Sequence, residues 1–171
     1  MKSLLVLFSY HHNNTEKIAN VFAKVLDAQI KTPQQIDPEE LQEYGLIGFG
    51  SGIYGGKHHK VLLDLADRLP QVTDRKAFIF STSGMTGEAK VAEDHSPLRE
   101  KLQSKGYMIV DEFNCAGFDT YGGDEEANLI EKLIGRINKL IGGINKGRPN
   151  VEDLKHAEEF AQNLKQNLQM K

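Results

Sequence analysis

The sequence predicts an α/β fold: an open parallel sheet covered by helices on both faces. Three observations carry that prediction. Short, continuously apolar runs recur along the chain, as in strands buried on both faces. Between them lie stretches with apolar residues every three or four positions, the spacing of amphipathic helices. The two kinds of segment alternate, and strands joined by helical crossovers pair in parallel. A length of 171 residues suits one domain with a sizeable core.

Residues 4–8 form the first apolar run and read as a buried strand. Polar residues 9–14 interrupt it. From Thr15 a helical pattern follows, with Ile18, Ala19, Val21, Phe22, Val25 and Leu26 on one side. Residues 29–31 read as a short second strand, and Pro33 and Pro38 punctuate the connection after it. Residues 44–49 form a third strand. A helix carrying Val61, Leu62, Leu65 and Leu69 comes next, and Pro70 ends it. Residues 77–80 are the fourth strand. Ser96-Pro97 is a helix start, with Ser as cap and Pro in the first turn, and Glu93, Asp94 and His95 read as its solvated approach. Residues 107–110, continuing toward Cys115, form the fifth strand. Asn150, with Asp153 three residues on, opens a last helix that aligns Leu154, Ala157, Phe160, Ala161, Leu164 and Leu168. The whole chain, 1–171, reads as a single domain with an insertion at about 116–149. That insertion exceeds an ordinary connection. Its own amphipathic helix carries Leu129, Ile130, Leu133, Ile134, Ile137, Leu140 and Ile141 on one side and ends at Gly142-Gly143.

Composition narrows the functional classes. Lys plus Arg number 21 and Asp plus Glu number 24, a net charge of −3. A nucleic-acid binder would show a basic footprint, so no nucleic-acid partner is expected. No apolar run approaches the roughly 20 residues of a membrane helix. The first apolar stretch is also too short for a signal peptide. The lone cysteine, Cys115, has no intramolecular partner, which fits a reducing compartment. A soluble, cytoplasmic protein is expected.

Ligands of open α/β sheets bind beyond the carboxyl ends of the strands. Three loops therefore matter. The first contains Ser9, Tyr10, His11, His12, Asn13, Asn14 and Thr15. Its hydroxyl, imidazole and amide groups, with backbone N–H groups at a helix start, suit a phosphate. Simple helix capping by Asn13, Asn14 or Thr15 accounts for the same residues. The second loop carries Gly50, Ser51, Gly52, Ile53, Tyr54 and Gly55, followed by Gly56. This is a literal G-x-G-x-x-G, but a dinucleotide reading also wants an acid at the end of the next strand. That strand ends Phe80-Ser81-Thr82, and Asp74 precedes it, at the wrong edge of the sheet. The third loop, with Ser81, Thr82, Ser83, Gly84 and Met85, is small and polar. The adjacent pairs His11-His12 and His58-His59 lack a completing ligand set, so no metal is predicted. His58 and His59 read as a surface helix start.

Taken in order, these loops resemble those of the flavodoxin family. Asn14-Thr15-Glu16 is similar to the end of that family's phosphate loop, and Ser9 to its early hydroxyl residue. Gly50 to Gly55 resembles the second flavin loop, and Ser81-Thr82-Ser83-Gly84 the third. The likeness covers residues 1 to about 115 and the terminal helix. It implies a flavodoxin-like five-stranded parallel sheet of order 2-1-3-4-5. It also implies noncovalently bound FMN, with the first loop on phosphate and Ile53, Tyr54 and Met85 excluding water from the ring. Asp119 and Thr120 would border the flavin edge. His11, His12 and Asn13 depart from the family's usual Thr and Gly residues, and there is no Trp. The resemblance implies electron transfer with redox protein partners, and no residue stands out as catalytic. An FMN-dependent oxidoreductase acting on a small-molecule acceptor, a quinone or porphyrinogen-type compound, is the alternative. The insertion motivates it: its helix would extend the core, wall a substrate pocket or form a homodimer contact. The weak acidity also separates the chain from strongly acidic dedicated carriers.

Overall fold

The computed structural model describes residues 1–10, 12–119 and 129–170. The expectations placed on His11 and Thr120 lie outside the described residues. The strands are β1 (Ser3–Phe8), β2 (Ala28–Lys31), β3 (Leu46–Tyr54), β4 (Lys57–His58), β5 (Arg75–Ser83) and β6 (Tyr107–Ala116). The α-helices are α1 (Asn14–Leu26), α2 (Lys60–Arg68), α3 (Glu88–Ser104), α4 (Leu129–Leu140) and α5 (Val151–Gln169). Two short 3-10 turns, Pro33–Gln35 and Pro38–Glu43, carry the chain from β2 to β3.

Five strands pair in parallel in the order β2-β1-β3-β5-β6, the doubly wound arrangement expected. The sixth, β4, is a two-residue strand that pairs antiparallel with the end of β3. Strand alternation sends side chains to two cores. Leu4, Val6, Ile47, Phe49, Ala77 and Ile79 meet α2 and α3 on one face. Leu5, Leu7, Phe78, Phe80 and Phe113 meet α1 and α5 on the other, around Phe22 and Phe160. The sheet is thus buried on both faces, which is why its strands read as unbroken apolar runs.

The glycines of the third strand have a packing role. β3 runs nine residues, so Gly50-Ser51-Gly52 is strand rather than loop, and only Gly55 and Gly56 form the turn into β4. A Cβ on Gly50 would lie 2.2 Å from the Phe80 ring. The missing side chain makes room for the aromatic cluster between the sheet and α1.

Two readings of α3 are corrected. The helix begins at Glu88, not Ser96, and Pro97 lies inside it. Its buried stripe is Asp94, His95, Leu98 and Leu102, so the helical period is present but half of it is polar. Asp94 is satisfied by Lys90 one turn back, and His95 by β5 and β6. His58, expected at the surface, is also buried. The terminal helix starts as expected: Asn150 accepts from Asp153 N–H, and Asp153 accepts from Asn150 N–H. Leu129, Leu133, Ile137 and Leu140 of α4 are exposed, as is Ile141 just after it, and the expectation placed on the side chains of Ile130 and Ile134 lies outside what is described.

Candidate functional site

A cleft opens at the carboxyl ends of β1, β3, β5 and β6. It is lined by Ser9, Asn14, Thr15, Gly52, Ile53, Tyr54, Thr82, Ser83, Gly84, Gly117, Phe118 and Asp119.

The chain enters α1 through two left-handed residues, His12 at φ 55° and Asn13 at φ 51°. Non-glycine residues seldom adopt this conformation, and in pairs less often. The helix that follows receives no side-chain cap from its N-cap residue, Asn13. Its opening amides and the positive end of its dipole are left for another acceptor. Asn14 and Thr15 turn inward and are buried. Thr15 Oγ1 lies 2.8 Å from Thr82 Oγ1, which ties α1 to the end of β5. Asn14 Nδ2 donates to the Phe118 carbonyl at 2.7 Å, while Asn14 Oδ1 is buried with no partner among the described residues. Gly117 permits this contact, since a Cβ there would sit 2.9 Å from Asn14 Nδ2.

Tyr54 is held from behind. His59 packs edge-on against it at 5.2 Å and stacks on Phe8 at 4.0 Å. The same imidazole caps α2 by accepting from Val61 N–H. The far rim comes from the insertion. Asp119 and Ile144 exchange backbone hydrogen bonds, Asn145 Nδ2 donates to the Gly84 carbonyl at 2.8 Å, and Ile144 packs against Gly84.

Ser9, Asn14, Thr15, Gly52, Ile53, Tyr54, Thr82, Ser83 and Gly84 are therefore brought together. Other expected site residues are not among those lining the cleft. Tyr10 and Met85 are largely exposed. Asn13 precedes α1, and His12 packs against Phe118 at 4.5 Å. Gly55 and Gly56 lie in the β3–β4 turn. Ser51 and Ser81 are wholly buried one residue behind the cleft floor, where internal hydrogen bonds occupy their hydroxyls. Gly117 and Phe118 line the cleft without having been singled out. The rule that ligands sit beyond strand ends, applied to the fifth parallel strand as to the first three loops, would have found them.

Behind the floor lies a buried polar network. Ser51 Oγ is 2.8 Å from His58 Nδ1, and the His58 and His95 rings are 4.9 Å apart. His95 Nε2 is 2.7 Å from Ser81 Oγ, and His95 Nδ1 is 2.8 Å from Glu112 Oε2. Arg99 grips Glu112 with two nitrogens. Burial alone would raise the Glu112 carboxyl, but the hydrogen bonds from Arg99 and His95 outweigh it and hold it at about 2. Burial, and then the neighbouring His95, push His58 well below the usual imidazole range. Burial pushes the Cys115 thiol up to about 12. Among the described residues no cluster of three or more His, Cys, Asp or Glu could hold a metal ion, and no helix is long and apolar enough to cross a membrane.

A doubly wound parallel sheet with a phosphate-type helix start and a cleft across its strand ends defines a mononucleotide-binding α/β class. The flavodoxin domain model matches residues 5–119, and the chain belongs to that family. It is 44% identical over 167 residues to an uncharacterized protein of Methanocaldococcus jannaschii, an alignment covering 98% of this chain and all of the relative. Among solved structures it is similar to oxidised flavodoxin 2 of Bacillus cereus, with TM-score 0.62, 19% identity, and 94% and 95% of the two chains covered. It is also similar to a Fusobacterium nucleatum flavodoxin bound to flavin mononucleotide, with TM-score 0.61, 14% identity, and 98% and 99% covered. At these identities the structural likeness speaks to the fold.

Proposed function

We propose that the chain binds FMN noncovalently in this cleft and carries electrons between redox partners. The observation that supports this most is the N-terminus of α1, which the Asn13 side chain leaves uncapped, opening on a cleft built from four strand ends. The residues fit the parts of FMN. The opening amides of α1 and the Thr15 hydroxyl suit the phosphate. The buried Asn14 Oδ1, which has no partner among the described residues, asks for a hydrogen-bond donor, and a ribityl hydroxyl is one. Ile53 and Tyr54 offer an apolar and aromatic wall for the ring, and glycines at 52 and 84 let it approach backbone. FMN when bound supplies the redox chemistry, and the chain's share is to bind, orient and exclude water.

Reduction of a small molecule, a quinone or porphyrinogen-type compound, is the second reading. Ile144 and Asn145 favour it, because they bring the insertion onto the cleft rim as a wall. An absorbance spectrum and FMN titration of the purified protein test the cofactor: flavin bands or saturable binding are expected, and a protein that stays colourless and refuses FMN overturns the reading. Stopped-flow reduction separates the two roles. Rapid NAD(P)H oxidation with quinone turnover by the protein alone would replace the carrier with the reductase.

A further inference from the structure

Tyr54 is the last residue of β3, and the two positive-φ glycines after it turn the chain back so that β4 pairs with the end of β3. The hairpin returns His59 to the side of Tyr54. Three contacts fix His59. Its backbone N–H donates to Ser51 Oγ at 3.1 Å, and its Nδ1 accepts from Val61 N–H at 3.2 Å as the cap of α2. Its ring stacks on Phe8 at 4.0 Å, with the two planes 20° apart. Ser51 is wholly buried and joined to His58 beneath the cleft floor. His59 is thus tied to β1, β3 and α2 at once.

The Tyr54 ring stands against this base. It meets His59 at 5.2 Å with the planes 82° apart, the edge-to-face geometry that aromatic rings favour. It also lies over Gly52, where a Cβ would come within 3.0 Å of Tyr54 Cε2 and 3.1 Å of its hydroxyl oxygen. Residues 52 and 54 share a face of the strand, so the missing side chain at 52 makes room for the ring. Gly52 and Tyr54 line the cleft, and His59 is not among its lining residues. A wall side chain free to rotate must be ordered when a ligand binds, and one already held spares binding that cost.

We propose that His59 is a positioning residue for the flavin site: its ring holds Tyr54 over Gly52 in the pose that receives the isoalloxazine. This rests on the flavin reading above. The cap on α2 is a separate duty of the same side chain, because Nδ1 serves the helix and the ring serves Tyr54. The two duties can be removed one at a time. His59→Asn keeps a capping oxygen and loses the ring. His59→Phe keeps a ring of similar size and loses the cap.

Riboflavin titrations by fluorescence, with thermal unfolding beside them, test this on both variants. Each variant lowers Tm by a few degrees, one through lost packing and the other through the lost cap. Only His59→Asn weakens riboflavin, roughly 2- to 12-fold, the cost of ordering one side chain on binding. The ring in His59→Phe rescues the affinity. In a Tyr54→Leu background His59→Asn costs nothing more. An affinity loss that follows Tm in both variants, or that persists in Tyr54→Leu, overturns the proposal. A second arm needs no flavin. The NMR cross-peak between the Tyr54 ring and Gly52 Hα, assigned by its loss in Tyr54→Leu, is present in the wild type and His59→Phe and weakened in His59→Asn. A cross-peak absent from the wild type, or at full strength in His59→Asn, overturns the proposal. If the wild type binds no riboflavin, the cofactor reading is what has failed, and the cross-peak alone decides whether His59 sets the pose of Tyr54.

Discussion

Replacing Asn14 by Ala and Thr15 by Val in one chain strips α1 of its two polar groups in the cleft while leaving a helix-compatible backbone. Without ligand, the change removes a 2.7 Å bond to the Phe118 carbonyl and a 2.8 Å bond to Thr82. Each is worth about 1 kcal/mol, and each abandoned partner costs about 1–3 kcal/mol if it stays buried. The double variant is therefore less stable but foldable. Toward ligands the two losses separate. Thr15 stands at the helix start where the dianionic phosphate is proposed to sit, and a hydrogen bond to a charged group is worth about 1.5–3 kcal/mol. Asn14 faces the ribityl chain, which FMN and riboflavin share, and its loss weakens both by about 1 kcal/mol. FMN should thus weaken roughly 10- to 150-fold more than riboflavin, at 1.4 kcal/mol per factor of ten. Parallel fluorescence titrations of FMN and riboflavin, on variant and wild type at one ionic strength, measure this. Equal losses for the two ligands would refute a phosphate role for the loop.

Two further outcomes follow from the buried groups. The Glu112 carboxyl sits at about 2 in the folded protein against an ordinary 4.5, so the unfolded chain takes up its proton first on acidification. Its contribution is complete above about pH 5 and is lost as pH falls toward 2, at most about 3 kcal/mol and less for its partial exposure. Urea unfolding at stepped pH should show a flatter acid limb for Glu112→Gln, and an unchanged limb contradicts the pairing with Arg99 and His95. The Cys115 thiol, buried and pushed up to about 12, presents almost no thiolate near neutrality. Native protein should resist iodoacetamide at pH 8 and react once urea unfolds it; fast stoichiometric labelling of the native protein would show the thiol accessible.

Much of the site was legible because strand-end loops are local signals. Ser9 follows an apolar run directly, Asn14 and Thr15 close the loop that begins there, and Thr82 and Ser83 stand two and three residues past another run, so their position at a strand end is readable without coordinates. The second loop was legible only in part. Its glycines look like turn residues, yet Gly50 is a strand residue whose absent side chain admits Phe80, a residue 30 positions away. The α3 boundary failed for a related reason. Asp94 and His95 occupy core positions of the helical period, and a hydrophobic pattern cannot see polar core residues whose satisfaction comes from elsewhere.

By itself, the sequence determined the alternation of strands and helices, the two-faced core, the capping box at Asn150 and the order of the ligand loops. Each of these rests on neighbours within a few positions, where periodicity and turn chemistry act. Only the tertiary structure decided that Ser51 and Ser81 turn inward, that His58 and His95 are buried together, and that Asn145 closes the cleft rim against Gly84. The physical reason is the reach of hydrogen bonds across the fold. Asn14 meets Phe118 from 104 residues away, and His95 meets Glu112 from 17. A polar residue's role depends on the partner the fold delivers to it, and that partner leaves no mark in the local pattern.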